Sequence, residues 1–166
     1  MTDTEKIERV LLFLQEKGIE VVFGELKENC FLPGLSIENG AIIIDKDKLK
    51  YPGDILHEAA HLAVVPSAER KTLIGPEIGK RKNHAAEEMM AIAWSYAACV
   101  HLNINPYFVF HDDGYKGGGK EIADNFSAGR YFGVPMLQFC GMSAEPHMAE
   151  SLNIRPFPQM EKWLRD

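Results

Sequence analysis

The sequence predicts an α+β fold in which a small sheet packs against helices. Its 166 residues, 46% hydrophobic and 25% charged, are typical of a globular protein, and no repeat or linker divides them. Apolar residues at helical spacing indicate several helices. Short runs of β-favouring residues occur in the first third, between turn signals, and Tyr107–His111 is ambiguous between helix and strand. We therefore expect one domain over residues 1–166.

The first third is expected to form a helix and then the sheet. A helix is predicted from a cap at Thr4 to about Lys17, because apolar side chains recur there on one face. Ile19–Phe23 is a short run of β-favouring residues, and Ala41–Asp45 is an apolar run suited to a buried strand. Pro33-Gly34 is a turn signal between these two runs.

The remainder is expected to be mostly helical. One helix lies between Pro52 and Pro66, since a proline disfavours helix at the residue before it. A longer helix runs from a cap at Asn83 to about Leu102. Asn105-Pro106 is a further helix start, Lys120–Ala128 is a short helix, and Glu161–Arg165 is the end of a terminal one.

The helix between the two prolines carries the HExxH motif, as His57-Glu58-Ala59-Ala60-His61. Side chains four residues apart share a helix face, so both imidazoles can reach one point. A zinc ion (Zn²⁺) accepts such nitrogens at about 2.0–2.1 Å. Glu58 lies one position further round, where it can act as general base toward water without becoming a ligand. The motif predicts a zinc site.

A catalytic zinc site needs a third protein ligand, and the next helix offers Glu87 and Glu88. Acidic residues near a helix start also interact favourably with the helix dipole. Glu88 shares its helical face with the small residue Ser95, whereas Glu87 shares its face with Trp94. A tryptophan would hold two crossing helices further apart. We expect Glu88 to be the ligand, with Glu87 or His84 as alternatives.

An HExxH helix followed by a glutamate on the next long helix resembles the gluzincin metallopeptidases, and in particular the small bacterial ImmA/IrrE-type peptidases. Ala41–Asp45 is similar to their edge strand, His57–His61 to their metal helix, and Glu88–Ala93 to their third-ligand helix. The similarity covers roughly residues 1–102. Ala60 stands where the family usually has glycine, and the connection over residues 66–82 is long and basic.

The resemblance implies a minimal zincin-like fold and a zinc-dependent peptidase acting on a peptide or protein. His57, His61 and Glu88 would hold the zinc. Glu58 would take a proton from the water that attacks the peptide carbonyl and pass it to the leaving amine. Without the resemblance, the residues support only zinc-activated attack on a polarised carbonyl. Two alternatives remain, a non-catalytic zinc protein and a regulatory binding module without turnover; the presence of Glu58 favours an enzyme.

A second motif lies in the glycine-rich segment Gly114–Lys120, which matches the phosphate-loop pattern GxxxxGK. Glu121 stands where that motif needs a serine or threonine, and Asn105-Pro106 predicts a helix where a strand should precede the loop. Nucleotide binding is therefore a remote alternative. The segment could instead lie beside the active site, where His111 or Tyr115 could donate to a developing oxyanion.

Charge and composition exclude some partners and compartments. The net charge is −6, and no basic run is longer than Lys80-Arg81-Lys82, so we expect no nucleic-acid partner. The polar N-terminus has no signal core, and the longest apolar run, Met89–Val100, is too short to span a bilayer. The three cysteines are far apart and form no CxxC. We expect a cytoplasmic protein without a membrane partner; the sequence does not indicate its oligomeric state.

Overall fold

The computed structural model describes residues 1–27 and 30–166. These residues form an α+β fold with eight α-helices and one three-stranded sheet, which confirms the predicted fold class. The elements are α1 (Asp3–Glu16), β1 (Glu20–Phe23), β2 (Leu35–Glu38), β3 (Ala41–Ile44), α2 (Asp54–Val64), α3 (Ser67–Arg70), α4 (Gly75–Ile78), α5 (His84–His101), α6 (Gly119–Ser127), α7 (Val134–Phe139) and α8 (Ala149–Leu152).

The cap of helix α1 lies two residues before the predicted one. The Thr2 hydroxyl accepts a hydrogen bond from the Glu5 backbone N–H, and the Glu5 carboxylate accepts one from the Thr2 backbone N–H at 2.6 Å. This reciprocal pair satisfies two backbone donors that a helix end otherwise leaves free. Thr4 has no glutamate three residues later and lies inside the helix, so the predicted cap was wrong by two residues.

Strand β3 forms the centre of the sheet. It pairs in parallel with β1 and antiparallel with β2, so the strand order is β1-β3-β2. Ile42 lies opposite Val21 on one side and Ile37 on the other. A two-residue turn at Asn39-Gly40 joins β2 to β3, as expected for an asparagine-glycine pair in a hairpin. The apolar run predicted as a buried strand is therefore the central strand, and not an edge strand as the resemblance implied.

Helices α2 and α5 pack against each other in the core, and both were predicted to within about two residues. Every residue of α2 except His57 is buried, and so are residues 90–99 of α5. Gly53 precedes α2, and a Cβ built on it would lie 1.7 Å from the Phe108 carbonyl oxygen. Only glycine fits at this approach, which fixes the start of α2 against the 3₁₀ helix Pro106–Phe108.

The C-terminal third departs from the prediction at two places. α6 was expected, but α7 and α8 were not. The terminal helix predicted to end over Glu161–Arg165 is absent; this segment has no helical structure. Its backbone groups bond to the core instead: Arg165 N–H donates to the Ala63 carbonyl at 2.9 Å, and the Trp163 carbonyl accepts from Trp94 Nε1 at 2.8 Å. These long-range bonds replace the local ones of a helix.

Across residues 1–27 and 30–166, no helix combines the length and the apolar character that crossing a bilayer requires.

Candidate metal centre

Helix α2 presents both histidines of the HExxH motif from one face. Their ring centroids lie 4.6 Å apart, with the ring planes at 75°. Because α2 is buried on all its other positions, its backbone is fixed by packing and the two rings have little freedom to separate. The side chain of His57 is 14% exposed and that of His61 is 8% exposed. The two imidazoles therefore line a narrow, partly accessible site.

Glu88 approaches these rings from α5. Its Oε1 lies 3.5 Å from His57 Nε2, and its Oε2 lies 3.5 Å from His61 Nε2. One ligand atom from each of the three residues lies within 4.8 Å of the other two, although the residues come from two helices. The described chain thus contains a His-His-Glu group that could hold a metal ion.

The spacing of this group fits a metal better than it fits direct hydrogen bonds. Metal–ligand bonds of about 2.0–2.1 Å in a tetrahedron place neighbouring ligand atoms about 3.3–3.4 Å apart. Each histidine nitrogen lies 3.5 Å from a different carboxylate oxygen of Glu88, which is close to that value and beyond the usual range for a nitrogen–oxygen hydrogen bond. Two imidazole nitrogens and a carboxylate oxygen suit zinc and several other divalent ions, so the donor set does not by itself select the metal.

The electrostatics favour the ligating forms of His61 and Glu88. Burial and the charge of His57 lower the pKa of His61 to about 3, so His61 is neutral at pH 7. Burial alone would raise the pKa of Glu88, but its interaction with His57 and the charges of His61 and His84 lower it overall. Burial alone would lower the pKa of His57, but Glu88 and the charges of Glu58 and Asp54 raise it overall, so His57 must release a proton to bind a metal. A neutral imidazole and an ionised carboxylate are the forms that bind metals.

Glu58 is buried beside this group, with 8% of its surface exposed. Within the described residues its carboxylate has no hydrogen-bond or ion-pair partner. Burial raises the pKa of Glu58 to about 7, with the charge of His57 opposing the shift and those of Asp54 and Glu88 adding to it. A buried carboxyl without a partner is costly to the fold, and such groups are concentrated at functional sites.

The two alternative ligands are engaged elsewhere. The Glu87 carboxylate accepts two hydrogen bonds from Arg81, from Nε at 2.6 Å and from Nη2 at 2.8 Å. His84 Nδ1 lies 3.0 Å from the Arg81 carbonyl oxygen. The structure therefore brings Glu88 rather than Glu87 to the histidines, as the face analysis expected. That Glu88 binds a metal stays a prediction.

Separate Glu88→Ala and Glu87→Ala variants test this assignment. Glu88→Ala removes a ligand atom, so its loss of zinc affinity should exceed the roughly 10–100-fold that is typical when a residue outside the ligand set is replaced. Glu87→Ala should stay within that range, because all three ligand atoms remain. Competition against a chromophoric chelator measures both affinities. A collapse of affinity in Glu87→Ala alone would mean that the wrong glutamate has been assigned.

The two candidate oxyanion donors occupy different positions. The Tyr115 ring lies edge-on to the His57 ring, with centroids 5.3 Å apart, and its buried hydroxyl has no partner in the described structure. Such a hydroxyl can donate to a molecule bound at the site. His111 instead uses its Nε2, 2.9 Å from Asp54 Oδ1, and stacks on Tyr51. Tyr115 therefore packs against a residue of the metal group, whereas His111 contacts Asp54.

Asp54, the first residue of α2, is a site residue that sequence reasoning missed. An acidic residue in the first turn of a helix is common for electrostatic reasons alone, so its presence gave no signal of a contact to His111. The only available signal was its position three residues before His57, on the same side of the helix.

The glycine-rich segment does not have the architecture of a phosphate loop. It is preceded by the 3₁₀ helix Pro106–Phe108 and not by a strand. Tyr115 and Lys116 both have left-handed backbone conformations, with φ of 53° and 56°. A Cβ on Gly119 would lie 2.5 Å from the His111 carbonyl oxygen, so the segment needs glycine to pack closely beside the site. The geometry gives no support to nucleotide binding.

Comparisons with protein-family models, curated proteins and solved structures give no match for this chain. The resemblance to gluzincins and to ImmA/IrrE-type peptidases therefore depends on the motif residues and on the geometry described above.

Proposed function

We propose that this chain is a zinc-dependent metallopeptidase of the gluzincin type, with zinc held by His57, His61 and Glu88. The observation that carries the proposal is the convergence of three ligand atoms beside the buried, unpartnered carboxylate of Glu58. A metal site that only stabilises the fold does not require an unpartnered carboxylate beside it. A site that activates water requires a group that accepts the proton of the water, and Glu58 can be that group.

Two histidines and a glutamate are one of the ligand sets that catalytic zinc sites use, with a further position open. Zinc bound there would act as a Lewis acid that polarises a carbonyl and lowers the pKa of water. The ligands come from both α2 and α5, and Glu88 retains 43% exposure of its side chain, so a substrate can approach from the Glu88 side. On the opposite side of the site, the burial of α2 restricts movement of the two histidines.

The chain's own residues then have distinct tasks. Glu58 accepts the proton of the attacking water on its carboxylate oxygen and later transfers it to the nitrogen of the leaving amine. Its lack of a competing partner leaves that oxygen free for both transfers. The Tyr115 ring packs edge-on against His57, and its hydroxyl, which has no partner in the described structure, is available to the oxygen of the attacked carbonyl.

The substrate class is the part of the proposal that comes from the resemblance. Zinc with a general base supports attack on any polarised carbonyl, and the gluzincin pattern assigns that carbonyl to a peptide bond. The competing proposals, a non-catalytic zinc protein and a binding module, predict metal without turnover. A cleavage assay therefore separates them.

The test combines metal analysis with a peptide library. We expect about one zinc per chain after zinc-supplemented expression, bound through nitrogen and oxygen. Mass spectrometry of a proteome-derived peptide library should show cleavage that a chelator abolishes and added zinc restores. The same library treated with an identically purified His57→Ala/His61→Ala protein controls for contaminating peptidases. Absence of zinc would overturn the metal site, and a zinc-loaded protein that cleaves nothing would favour the non-catalytic alternatives.

A further inference from the structure

A chain of charged side chains outside the metal group connects the two helices that supply its ligands. Arg70, in α3, donates from Nε to the Leu62 carbonyl at the end of α2, at 2.8 Å. Its neighbour Glu69 accepts from Arg81 Nη1 at 2.8 Å. Arg81 in turn holds Glu87 of α5 through two hydrogen bonds. We call Glu69, Arg70, Arg81 and Glu87 the brace.

The Arg81–Glu87 pair differs from an ordinary surface ion pair. Glu87 is only 4% exposed, and the guanidinium contacts it with two nitrogens, which is the stronger and more directional form of such a pair. The pair Lys80–Glu77 in the same segment has a single contact at 2.9 Å between exposed side chains. Exposed pairs of that kind contribute little. A buried charge left without its partner is strongly unfavourable, so the position of Glu87 depends on Arg81.

The first turn of α5 has few other restraints. Asn83 occupies the N-cap position, but its side chain makes no capping hydrogen bond. Helix ends without a cap leave backbone donors unsatisfied and fray readily. Arg81 contacts this turn through its guanidinium, which donates two hydrogen bonds to Glu87, and through its carbonyl, which accepts from the His84 backbone N–H at 3.1 Å and lies 3.0 Å from His84 Nδ1. Glu88 is the next residue along the helix, so whatever fixes Glu87 also fixes the direction from which Glu88 reaches the histidines.

We propose that Arg81 is a positioning residue of the metal centre. Through Glu87 it holds the first turn of α5, and through Glu69 it links that turn to the segment anchored on the end of α2. The two carboxylate oxygens of Glu88 are thereby held 3.5 Å from the two histidine nitrogens. Preorganisation of this kind strengthens binding because less ordering accompanies it. The inference rests on the metal-binding part of the proposed function and not on peptide hydrolysis.

Zinc affinity of Arg81→Met measures the effect directly. Replacement of partners outside the ligand set typically weakens metal affinity by about 10–100-fold, and we expect a loss in that range. Lys80→Met is the matched control, because it removes one positive charge and one ion pair from the neighbouring position. Its affinity should equal that of the parent. Parental affinity in a folded Arg81→Met protein would overturn the proposal.

A second pair of variants separates positioning from general stabilisation. Arg81→Lys keeps the charge but cannot form the two-nitrogen contact, and Glu87→Gln keeps the shape but loses the charge. Each should weaken zinc binding at a temperature where circular dichroism shows a folded protein, and each should change the visible absorption spectrum of bound Co²⁺, which reports ligand geometry. A lowered melting temperature with parental affinity and spectrum in both variants would show that the brace only stabilises the fold.

These outcomes are distinguishable from failure of the proposed function. If the parent binds no zinc, the proposed metal centre is wrong, and so is the proposed role of Arg81. If the parent and Arg81→Met bind zinc equally well, the metal centre stands and the positioning role is wrong. If Arg81→Met binds weakly while neither protein cleaves peptides, the brace is supported and only the peptidase assignment fails.

Discussion

Replacing His57 and His61 together with alanine is expected to abolish metal binding, lowering the zinc content from about one per chain to none. The double variant leaves Glu88 as the single remaining ligand, and one exposed carboxylate does not hold a divalent transition ion at micromolar concentration. Any peptidase activity should be lost with the metal. Elemental analysis of the purified protein after zinc-supplemented expression measures the result.

The control for this variant removes two histidines that lie outside the group. His84 and His147 are both exposed, and the His84 backbone N–H keeps its bond to the Arg81 carbonyl after the substitution, so replacing both histidines with alanine should leave the fold and the zinc content unchanged. This control also tests the alternative in which His84 is a ligand. Full zinc occupancy in the His57→Ala/His61→Ala protein would contradict the proposed centre. Loss of zinc from His84→Ala/His147→Ala would mean that the third ligand is His84.

The predicted convergence of His57, His61 and Glu88 depends on short-range geometry. The prolines at positions 52 and 66 limit where α2 can begin and end, and a four-residue spacing then places His57 and His61 on one face. The expectation that Glu88 approaches the histidines used the same helical periodicity, because Trp94 lies on the face of Glu87 and not on the face of Glu88. Trp94 is fully buried and bonded to the terminal segment, away from the histidines.

The features that the sequence did not predict depend on contacts between distant residues. Arg81 was read as part of a basic run, and nothing local to it indicates that its guanidinium turns toward Glu87 and Glu69. The contact between Asp54 and His111 joins residues 57 positions apart. The terminal segment also forms hydrogen bonds to distant residues instead of the predicted helix. Side-chain direction and long-range pairing are set by packing, which periodicity does not describe.

Replacing Glu58 with glutamine should lower turnover by about 10²–10⁴-fold, the usual contribution of a general base, while zinc remains bound. Glutamine has nearly the same shape but cannot accept the proton. Glu58 does not belong to the group of ligand atoms, so the metal should be retained. The measurement pairs zinc content with the rate of cleavage of a peptide identified in the library.

Stability distinguishes this effect from damage to the fold. Glu58 is a buried carboxyl without a partner, so a neutral amide in its place removes the cost of burying a charge, and we expect the melting temperature not to fall. Glu8→Gln, at an exposed position of α1, is the matched control and should retain both zinc and full turnover. Loss of zinc from Glu58→Gln would make Glu58 a ligand instead of a base. Undiminished turnover with zinc retained would exclude Glu58 as the general base.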